Sequence, residues 1–343
     1  MVKFEIIIGR VKGVLLMKRL GWGSVTILCA IILGSCWFFF QGSILEKNGI
    51  NVSKAKEKMT IDGPPLQVAE LPKTGLTEKM IPQKYVPVVE AKAAMIIDAS
   101  NGQVMYKNNE EELLAPASMS KMMTAYILLE NIHKGKVHWE DQVKISAKSA
   151  QAEGARIPVQ TGDVLTVKDL YHALMIQSAN NSAVALAEHI AKTEQDFAHL
   201  MNQTAKQLEL SEATKFVNAS GLQEPDGSET KMTVADVAKL AYHLVTDYPE
   251  ILDVTHLRQS QLAFKSTMVT STNEMLNPAN QGLYLEGMDG LKTGFTDSAG
   301  YCFTGTAKQG DKRLVTVVMG TKSQMKRFTE THKLMSYGFE IVK

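Results

Sequence analysis

Three short polar patterns, far apart in the chain, constrain its fold more than any other feature of the sequence. Residues 118–121 read Ser-Met-Ser-Lys, residues 178–180 read Ser-Ala-Asn, and residues 292–294 read Lys-Thr-Gly. Each pattern combines a hydroxyl with an amine or an amide, and these are groups that nucleophilic and acid–base catalysis use. We predict that the fold brings the three patterns together in a cleft.

Copies of the patterns elsewhere show that a single match is weak. Ser-x-x-Lys also begins at Ser53 and Ser323, Ser-x-Asn at Ser271, and Lys-Thr-Gly at Lys73. Ser53 and Lys73 lie in a polar segment without an apolar period, where no core would hold a catalytic geometry. Ser323 follows every other predicted element, and Ser271 lies in a polar, loop-like stretch. The set at 118, 178 and 292 is therefore the one that we predict to act together.

Strand patterns occur at both ends of the region after residue 84, and helical patterns lie between them. This order predicts an α/β (α+β) fold in which the terminal strands share one antiparallel sheet, while the central helices form a second lobe. The predicted hairpins join 88–98 to 103–106 around Asn101-Gly102 and 301–307 to 313–319 around Gly310. The predicted helices run from about Ser118 to Ile132, from the caps Thr166 and Thr233, and over 324–339.

Lys121 is predicted to lie one turn from Ser118, on the apolar face of the first of these helices. A lysine there either extends its amine to water or is buried beside Ser118. Burial has a chemical rationale, because a serine hydroxyl is a poor nucleophile until a base removes its proton, and a neutral lysine can be that base. Desolvation and a second cation such as Lys292 favour the neutral amine. We predict Ser118 as the nucleophile and Lys121 as its general base.

Ser178 and Asn180 are predicted to occupy a turn between two amphipathic helices. Such a turn can direct Ser178 to relay a proton to a leaving amine, and Asn180 to hold Lys121 and a substrate amide. The alternative is that both side chains only cap a helix.

Residues 290–296 are predicted to form a strand along the cleft. Lys292 and Thr293 can bind a carboxylate, and Gly294 lets a substrate backbone come close. The main-chain N–H of Phe295 can join that of Ser118 in an oxyanion hole. The alternative is an exposed strand with a solvated lysine.

Residues 20–40 form an apolar stretch long enough to cross a hydrocarbon core about 30 Å thick. Residues 1–19 are basic and are predicted to stay in the cytoplasm, which makes the chain a single-pass membrane protein with an extracytoplasmic domain. A cleaved signal, and hence secretion, is one alternative, and lipid modification at Cys36 is another. Residues 41–83 are polar and contain prolines, so they predict a flexible linker to a catalytic domain at 84–343.

The net charge and the positions of the histidines argue against nucleic-acid binding and against a metal site. The formal net charge of +1, from 37 basic and 36 acidic residues, lacks the basic excess of a nucleic-acid-binding protein. The eight histidines are scattered without the spacing of a metal site. We therefore expect no nucleic-acid partner, no metal and no organic cofactor.

Around the three patterns the sequence resembles the low-molecular-weight penicillin-binding proteins, the serine-type D-Ala-D-Ala carboxypeptidases of peptidase family S11. The resemblance extends from about residue 84 to the end and is carried by 116–124, 176–187 and 290–294 with 299–301. It implies a bacterial enzyme with the penicillin-binding/β-lactamase-like transpeptidase fold. It also implies that a peptidoglycan stem peptide ending in D-Ala-D-Ala acylates Ser118, and that β-lactams are covalent inhibitors. An arginine near the last helix of the family helps to bind the terminal carboxylate, and Arg327 is the matching position.

Two positions depart from the pattern of many relatives, which have Asp in place of Asn181 and often His in place of Phe295. Relatives often carry a second β-rich domain and a C-terminal anchor, and we expect the N-terminal apolar segment to supply the anchoring here. A serine β-lactamase is the nearest rival, because it shares the three patterns and adds a glutamate-activated water. Glu212 lies at a comparable distance after Ser178, but its context does not fit. An inactive wall-binding or β-lactam-sensing relative is the second rival.

Overall fold

The computed structural model describes residues 77–78 and 86–341. The predicted cytoplasmic segment 1–19, the predicted transmembrane segment 20–40 and all of the predicted linker except 77–78 lie outside the described residues. Within the described ranges, no helix combines the length and the apolar character that crossing a bilayer requires.

The described residues form ten strands and eight α-helices, with short 3-10 helices at Ala117–Ser120, Pro249–Ile251, Phe264–Ser266 and Glu274–Leu276. The strands are β1 Thr77–Glu78, β2 Ala93–Asp98, β3 Gln103–Asn108, β4 Gln142–Lys144, β5 Val164–Thr166, β6 Gln259–Gln261, β7 Met268–Thr270, β8 Met288–Thr296, β9 Gly300–Gln309 and β10 Lys312–Thr321. The α-helices are α1 Lys121–His133, α2 Ala147–Gln151, α3 Val167–Ile176, α4 Asn180–Ala191, α5 Glu194–Gln207, α6 Val234–Asp247, α7 Leu252–Thr255 and α8 Gln324–Glu340.

One six-stranded sheet, in the order β1-β3-β2-β10-β9-β8, joins the two ends of the described domain. The pairs from β3 to β8 are antiparallel, which confirms the predicted sheet and both predicted hairpins. The two-residue strand β1 pairs in parallel with β3 and lies inside the segment predicted as a linker. Because β8 is an edge strand of this sheet, one side of its backbone is left for the cleft.

The sheet is covered on both faces, so its central strands are apolar throughout. All six residues of β2 are buried. Phe328 and Leu334 of α8 pack with Ile96 and Phe303 against one face. The helical lobe covers the other face, and α6 contacts both β2 and β10. This arrangement confirms the predicted helical lobe and places the cleft at the β8 edge.

Strand β2 begins at Ala93 and not at residue 88, where the apolar run starts. The stretch before it is held by other contacts, since the backbone N–H of Glu90 donates to the carboxylate of Glu330 on α8, at 3.2 Å. Because this N–H is bonded to a helix side chain, it is not part of the hydrogen-bond ladder of the sheet. The predicted start of β2 was therefore five residues too early.

Helix α1 is buried on all sides from Lys121 to Leu129, whereas the sequence predicted one apolar face. It lies in the middle of the helical lobe, in contact with α3, α4, α5 and α6. The residues before it, Ala117–Ser120, form a 3-10 turn and not the first turn of an α-helix. Ser118 and Lys121 are nevertheless brought side by side.

The predicted caps Thr166 and Thr233 are confirmed, because their hydroxyls accept the N–H groups of Asp169 and Asp236, at 3.0 and 3.1 Å. Neither aspartate carboxylate accepts the backbone N–H of its own cap residue. Asp169 accepts backbone N–H groups near residue 263, and Asp236 accepts from Ser211. Each aspartate therefore ties its helix to a neighbouring loop.

Candidate active site

Ser118, the predicted nucleophile, lies in the 3-10 turn that precedes α1. Ala117, beside it, has a left-handed backbone with φ +49°, a conformation that costs energy for an alanine and has to be held by its surroundings. Ser120 helps to hold it, since its hydroxyl donates to the Ala117 carbonyl at 2.9 Å. A side chain at Gly221 would overlap that carbonyl, so this glycine lets a loop from the helical lobe press against the turn.

Lys121 is completely buried, and its amine lies among three oxygen atoms. Its Nζ lies 2.8 Å from Ser118 Oγ, 2.6 Å from Asn180 Oδ1 and 2.7 Å from the Ser220 carbonyl oxygen. A neutral amine donates its two hydrogens to the last two oxygens, and its lone pair is left to accept from the Ser118 hydroxyl. No carboxylate of the described residues forms an ion pair with it. The predicted pairing of Ser118 with Lys121 is present in the structure, and the amine does not reach water.

The pKa of Lys121 lies well below its usual value. Burial is the main cause, because a buried ammonium loses its hydration, and the positive charge of Lys292 acts in the same direction. The negative charge of Glu194 opposes both. The shift favours the neutral form that a general base requires.

Ser178 follows α3 with a left-handed backbone, φ +65°. Its Oγ accepts a hydrogen bond from Lys292 Nζ at 2.8 Å, across the cleft between lobe and sheet. A non-glycine residue in this region of φ/ψ space is strained, and such strain is concentrated at functional sites. The turn directs the hydroxyl to the sheet edge.

Asn180 begins α4, and its carboxamide faces inward. Its Oδ1 accepts from Lys121, and its Nδ2 donates to the Glu153 carbonyl at 2.6 Å. The residue at the N-cap position, Ala179, has no capping side chain. The alternative prediction, that Ser178 and Asn180 serve only as helix caps, is therefore wrong.

Lys292 is 2% exposed, which rules out the alternative of a solvated strand lysine. Burial, followed by the charge of Arg327, lowers its pKa to about 7. The amine also donates to the Thr293 carbonyl at 3.1 Å. The Thr293 hydroxyl lies 2.7 Å from that of Thr272. A cation and a pair of hydroxyls thus lie together at the β8 edge.

Gly294 has a neighbour that the sequence did not predict. A Cβ atom at this position would lie 2.5 Å from the Pro116 carbonyl and 3.4 Å from the Cβ of Ala117. The glycine therefore lets β8 approach the nucleophile turn, whereas the sequence suggested the approach of a substrate backbone.

Phe295 has a side chain that points out of the core, with 46% of its surface exposed and its ring 4.3 Å from that of Tyr301. Backbone directions alternate along a strand. The N–H of Phe295 therefore points to the same edge as the Thr293 carbonyl, which accepts from Lys292. This direction suits the predicted oxyanion hole.

Arg327 lies in the first turn of α8 and is 6% exposed. Its guanidinium donates to the Gly294 carbonyl at 3.4 Å, whereas its Nε is buried without a hydrogen-bond partner. Burial lowers its pKa to about 10. An unsatisfied buried donor beside Lys292 makes this end of the cleft suited to an anion.

Sequence reasoning missed three residues of the site. The Ser220 carbonyl binds the amine of Lys121, and Asn218 orders that loop by accepting the Gly221 N–H at 2.7 Å. Thr272 follows Ser271, whose Ser-x-Asn pattern was set aside correctly, and lies against Thr293. A main-chain contact leaves no signal in one sequence. The run Asn218-Ala219-Ser220-Gly221 was a visible turn signature.

Three comparisons with known proteins agree with this geometry. Residues 79–323 match the family described as D-alanyl-D-alanine carboxypeptidase, Peptidase_S11. The chain is 34% identical to the D-alanyl-D-alanine carboxypeptidases DacF of Bacillus subtilis and DacC of Escherichia coli, over 73% and 74% of its length. The aligned part spans 62% of each of these relatives.

A likeness of fold accompanies the likeness of sequence. The ampicillin-bound crystal structure of penicillin-binding protein D2 from Listeria monocytogenes superposes with a TM-score of 0.65 at 34% identity, over 75% of this chain and 100% of that one. The sheet, the flanking helices and the cleft are therefore those of the penicillin-binding transpeptidase fold.

Proposed function

The chain belongs to the D-alanyl-D-alanine carboxypeptidase family Peptidase_S11, and from this premise we propose that it removes the terminal D-alanine from peptidoglycan stem peptides through an acyl-enzyme on Ser118. One observation carries the proposal: a completely buried lysine amine lies 2.8 Å from the Ser118 hydroxyl. A neutral amine at that distance can take the hydroxyl proton as the oxygen attacks.

Acylation begins when Ser118 Oγ attacks the carbonyl carbon of the penultimate D-alanine. The hydroxyl proton passes to Lys121, and the ammonium that forms is received by Asn180 Oδ1 and the Ser220 carbonyl, which already accept from it. The oxyanion is stabilised by the N–H groups of Ser118 and Phe295. These donors act without reorganisation because the turn and the strand edge hold them in place.

The substrate carboxylate binds at the β8 edge. Lys292 and the Thr293 hydroxyl contact it, and Arg327 adds positive charge from behind Gly294. The arrival of an anion favours the charged form of Lys292, whose pKa of about 7 lies where such a shift changes its protonation.

The leaving nitrogen takes its proton from Ser178, and Lys292, which donates to Ser178 Oγ, replaces that proton. The C–N bond breaks and D-alanine departs. Water then attacks the ester and returns a proton through Ser178 to Lys292, and Ser118 recovers its own proton from Lys121. Both lysines end in their starting states.

The activity is tested by incubating the folded domain with a diacyl-D-Ala-D-Ala peptide and measuring free D-alanine. We expect release by the wild-type protein and none by Ser118→Ala, while Ser336→Ala, whose hydroxyl lies against His332 on α8, retains activity. Intact peptide after long incubation with folded wild-type protein would favour a sensing module.

Penicillin distinguishes the proposal from a β-lactamase. Within the described residues no carboxylate bonds directly to Ser118 or Lys121, and Glu212 is exposed. We expect mass spectrometry to find one persistent adduct on Ser118. Rapid turnover of penicillin would overturn this assignment.

We propose further that residues 20–40 anchor the chain in the bacterial cell membrane, with 41–83 as the tether and the catalytic domain outside. The support is the apolar length of 20–40 and the basic flank at 1–19. Protease added to intact spheroplasts should then digest the domain and leave a membrane-bound fragment. Release of the full-length mature domain into the medium would indicate a cleaved signal, and loss of membrane association in Cys36→Ala would indicate a lipid anchor.

A further inference from the structure

Glu194 is a buried carboxylate that the proposed mechanism does not use. It begins α5, is 7% exposed, and its Oε2 pairs with Lys148 Nζ of α2 at 2.7 Å. Lys148 is 62% exposed and therefore hydrated. The pair lines a cavity of about 550 Å³ together with Asn218, Ser220 and Leu222. Burial of a carboxylate without a role is costly.

The other oxygen of Glu194 connects it to the general base. Its Oε1 accepts the backbone N–H of Ala219 at 3.2 Å. The Ala219 carbonyl accepts from Thr124 Oγ1 at 2.8 Å, and the next carbonyl, that of Ser220, accepts from Lys121 Nζ at 2.7 Å. Residues 219–220 are thus held between α5 and α1, and Glu194 fixes the oxygen against which the amine rests.

The charges around Lys121 give this carboxylate a second effect. Lys292 on β8 opposes the ammonium form, Asn180 on α4 and the Ser220 carbonyl are neutral, and Lys148 lies beyond Glu194. Among the described residues, Glu194 is the carboxylate whose charge favours the ammonium form. A lower pKa makes an amine a weaker base, so loss of the Glu194 charge should reduce the ability of Lys121 to take the Ser118 proton.

We propose that Glu194 is a positioning residue for Lys121: it fixes the Ser220 carbonyl behind the amine and, together with Lys148, sets the charge that the amine faces from that side. This inference rests on the proposed function, because it concerns the activation of Ser118. Lys148 weakens the field of Glu194 at Lys121, so the two members of the pair act on the base in opposite directions.

The test is the pH dependence of the rate at which a fluorescent penicillin acylates the domain, for wild type, Glu194→Gln and Lys148→Gln. Glutamine keeps an oxygen for the Ala219 N–H and removes the charge. The matched control is Glu130→Gln, which removes a charge from an ion pair with Lys134, near the other end of α1. Circular dichroism and thermal unfolding verify that each variant is folded.

We expect Glu194→Gln to move the acid limb of the rate profile to lower pH by about half a unit or more, which is about a threefold rise in relative rate at a pH on that limb. Its plateau rate falls because the amine is a weaker base. Lys148→Gln should move the limb to higher pH by a smaller amount, and Glu130→Gln should leave it in place.

A lower rate at every pH without a shift would mean that Glu194 has only a structural role and would overturn the inference, as would shifts of the same sign in both variants. Failure of the inference is separable from failure of the proposed function. If wild type forms no adduct, the proposed function fails, whereas a normal wild-type profile that Glu194→Gln leaves unmoved refutes this inference alone.

Discussion

Two buried lysines face each other across the cleft, Lys121 in the helical lobe and Lys292 at the edge of the sheet. Neither forms an ion pair with a carboxylate in the described part of the chain. The amine of Lys121 has three oxygen partners at 2.6–2.8 Å, whereas that of Lys292 has two, at 2.8 and 3.1 Å.

The two differ in how far their protonation is shifted. Burial is the largest cause for both, but Lys121 lies beside Lys292, and Lys292 lies beside Arg327. The pKa of Lys121 falls well below its usual value, while that of Lys292 falls to about 7. Both shifts favour the neutral amine, and the pKa of about 7 leaves Lys292 poised between its two states near neutral pH.

This difference teaches that burial alone does not assign a role to a lysine. The helical lobe closes around Lys121 and leaves Ser118 as its catalytic neighbour, so the amine can act only on that hydroxyl. The sheet edge leaves Lys292 beside Ser178 and next to a place for an anion. In the proposed mechanism the same residue type and the same desolvation thus supply the proton acceptor for Ser118 and, at the sheet edge, an amine that binds the carboxylate and gives Ser178 a proton.

Replacement of Lys121 is expected to have the largest effect. Lys121→Met removes the base but keeps much of the buried volume, so the rate of acylation by penicillin at pH 7 should fall by about 10²- to 10⁴-fold. Lys134→Met, at the exposed end of the same helix, is the matched control. A Lys121→Met protein that reacted at the normal rate would show that the helical lobe does not supply the base, and the contrast would fail.

Replacement of Lys292 should have a smaller and selective effect. Lys292→Gln removes one charged hydrogen bond to a carboxylate, which is worth about 1.5–3 kcal/mol, or about a tenfold to hundredfold change in kcat/KM. The loss should be larger than the loss for a substrate whose terminal carboxylate is amidated, because both substrates lose the proton that Lys292 supplies to Ser178 but only the first loses the contact with the carboxylate. Equal losses for both substrates would place Lys292 in the chemical step alone and not in anion binding.

The sequence predicted the fold and the side chains of this site well because both leave local signals. Two hairpin turns and the Thr166 and Thr233 caps were readable and are present. The pairing of Ser118 with Lys121 follows from a spacing of one helical turn, which survives even though Ala117–Ser120 is a 3-10 turn.

The features that the sequence could not predict depend on contacts between residues that are far apart in the chain. The burial of α1 on all sides comes from four other helices. The role of Gly294 comes from the nucleophile turn, which lies against β8. The Ser220 carbonyl is a main-chain atom, so no residue type marks it. Such contacts appear only when the chain is folded.

The pH dependence of protein stability tests whether the pKa of Lys292 is lowered in the folded chain. The unfolded chain keeps a proton on residue 292 up to a pH of about 10.5, whereas the folded chain releases it at about 7. The unfolded state holds more protons in this window, so the contribution of Lys292 to the free energy of unfolding rises with pH, by up to about 1.4 kcal/mol per pH unit. Below pH 7 both states are protonated and the contribution is flat.

Urea unfolding of wild type and Lys292→Met at pH 7, 8 and 9 measures this contribution as a difference. We expect wild type to gain stability relative to the variant as the pH rises. A constant difference would mean that the folded protein does not shift the pKa of Lys292, and the sheet edge would then hold an ordinary ammonium.

Phe295→His is expected to have the smallest effect, because the sheet edge uses the backbone of this residue. The Phe295 ring is 46% exposed and packs against the Tyr301 ring. The N–H that points to the cleft is retained in the variant, so the acylation rate should stay within about threefold of wild type, or about 0.6 kcal/mol. Phe295→Pro, which removes the N–H, is the informative partner and should lose about 10²-fold or more. A larger change in rate for Phe295→His than for Phe295→Pro would show that the side chain of residue 295 matters more at this edge than its N–H. The proposed contrast, in which the helical lobe acts through side chains and the sheet edge acts partly through its backbone, would then be lost.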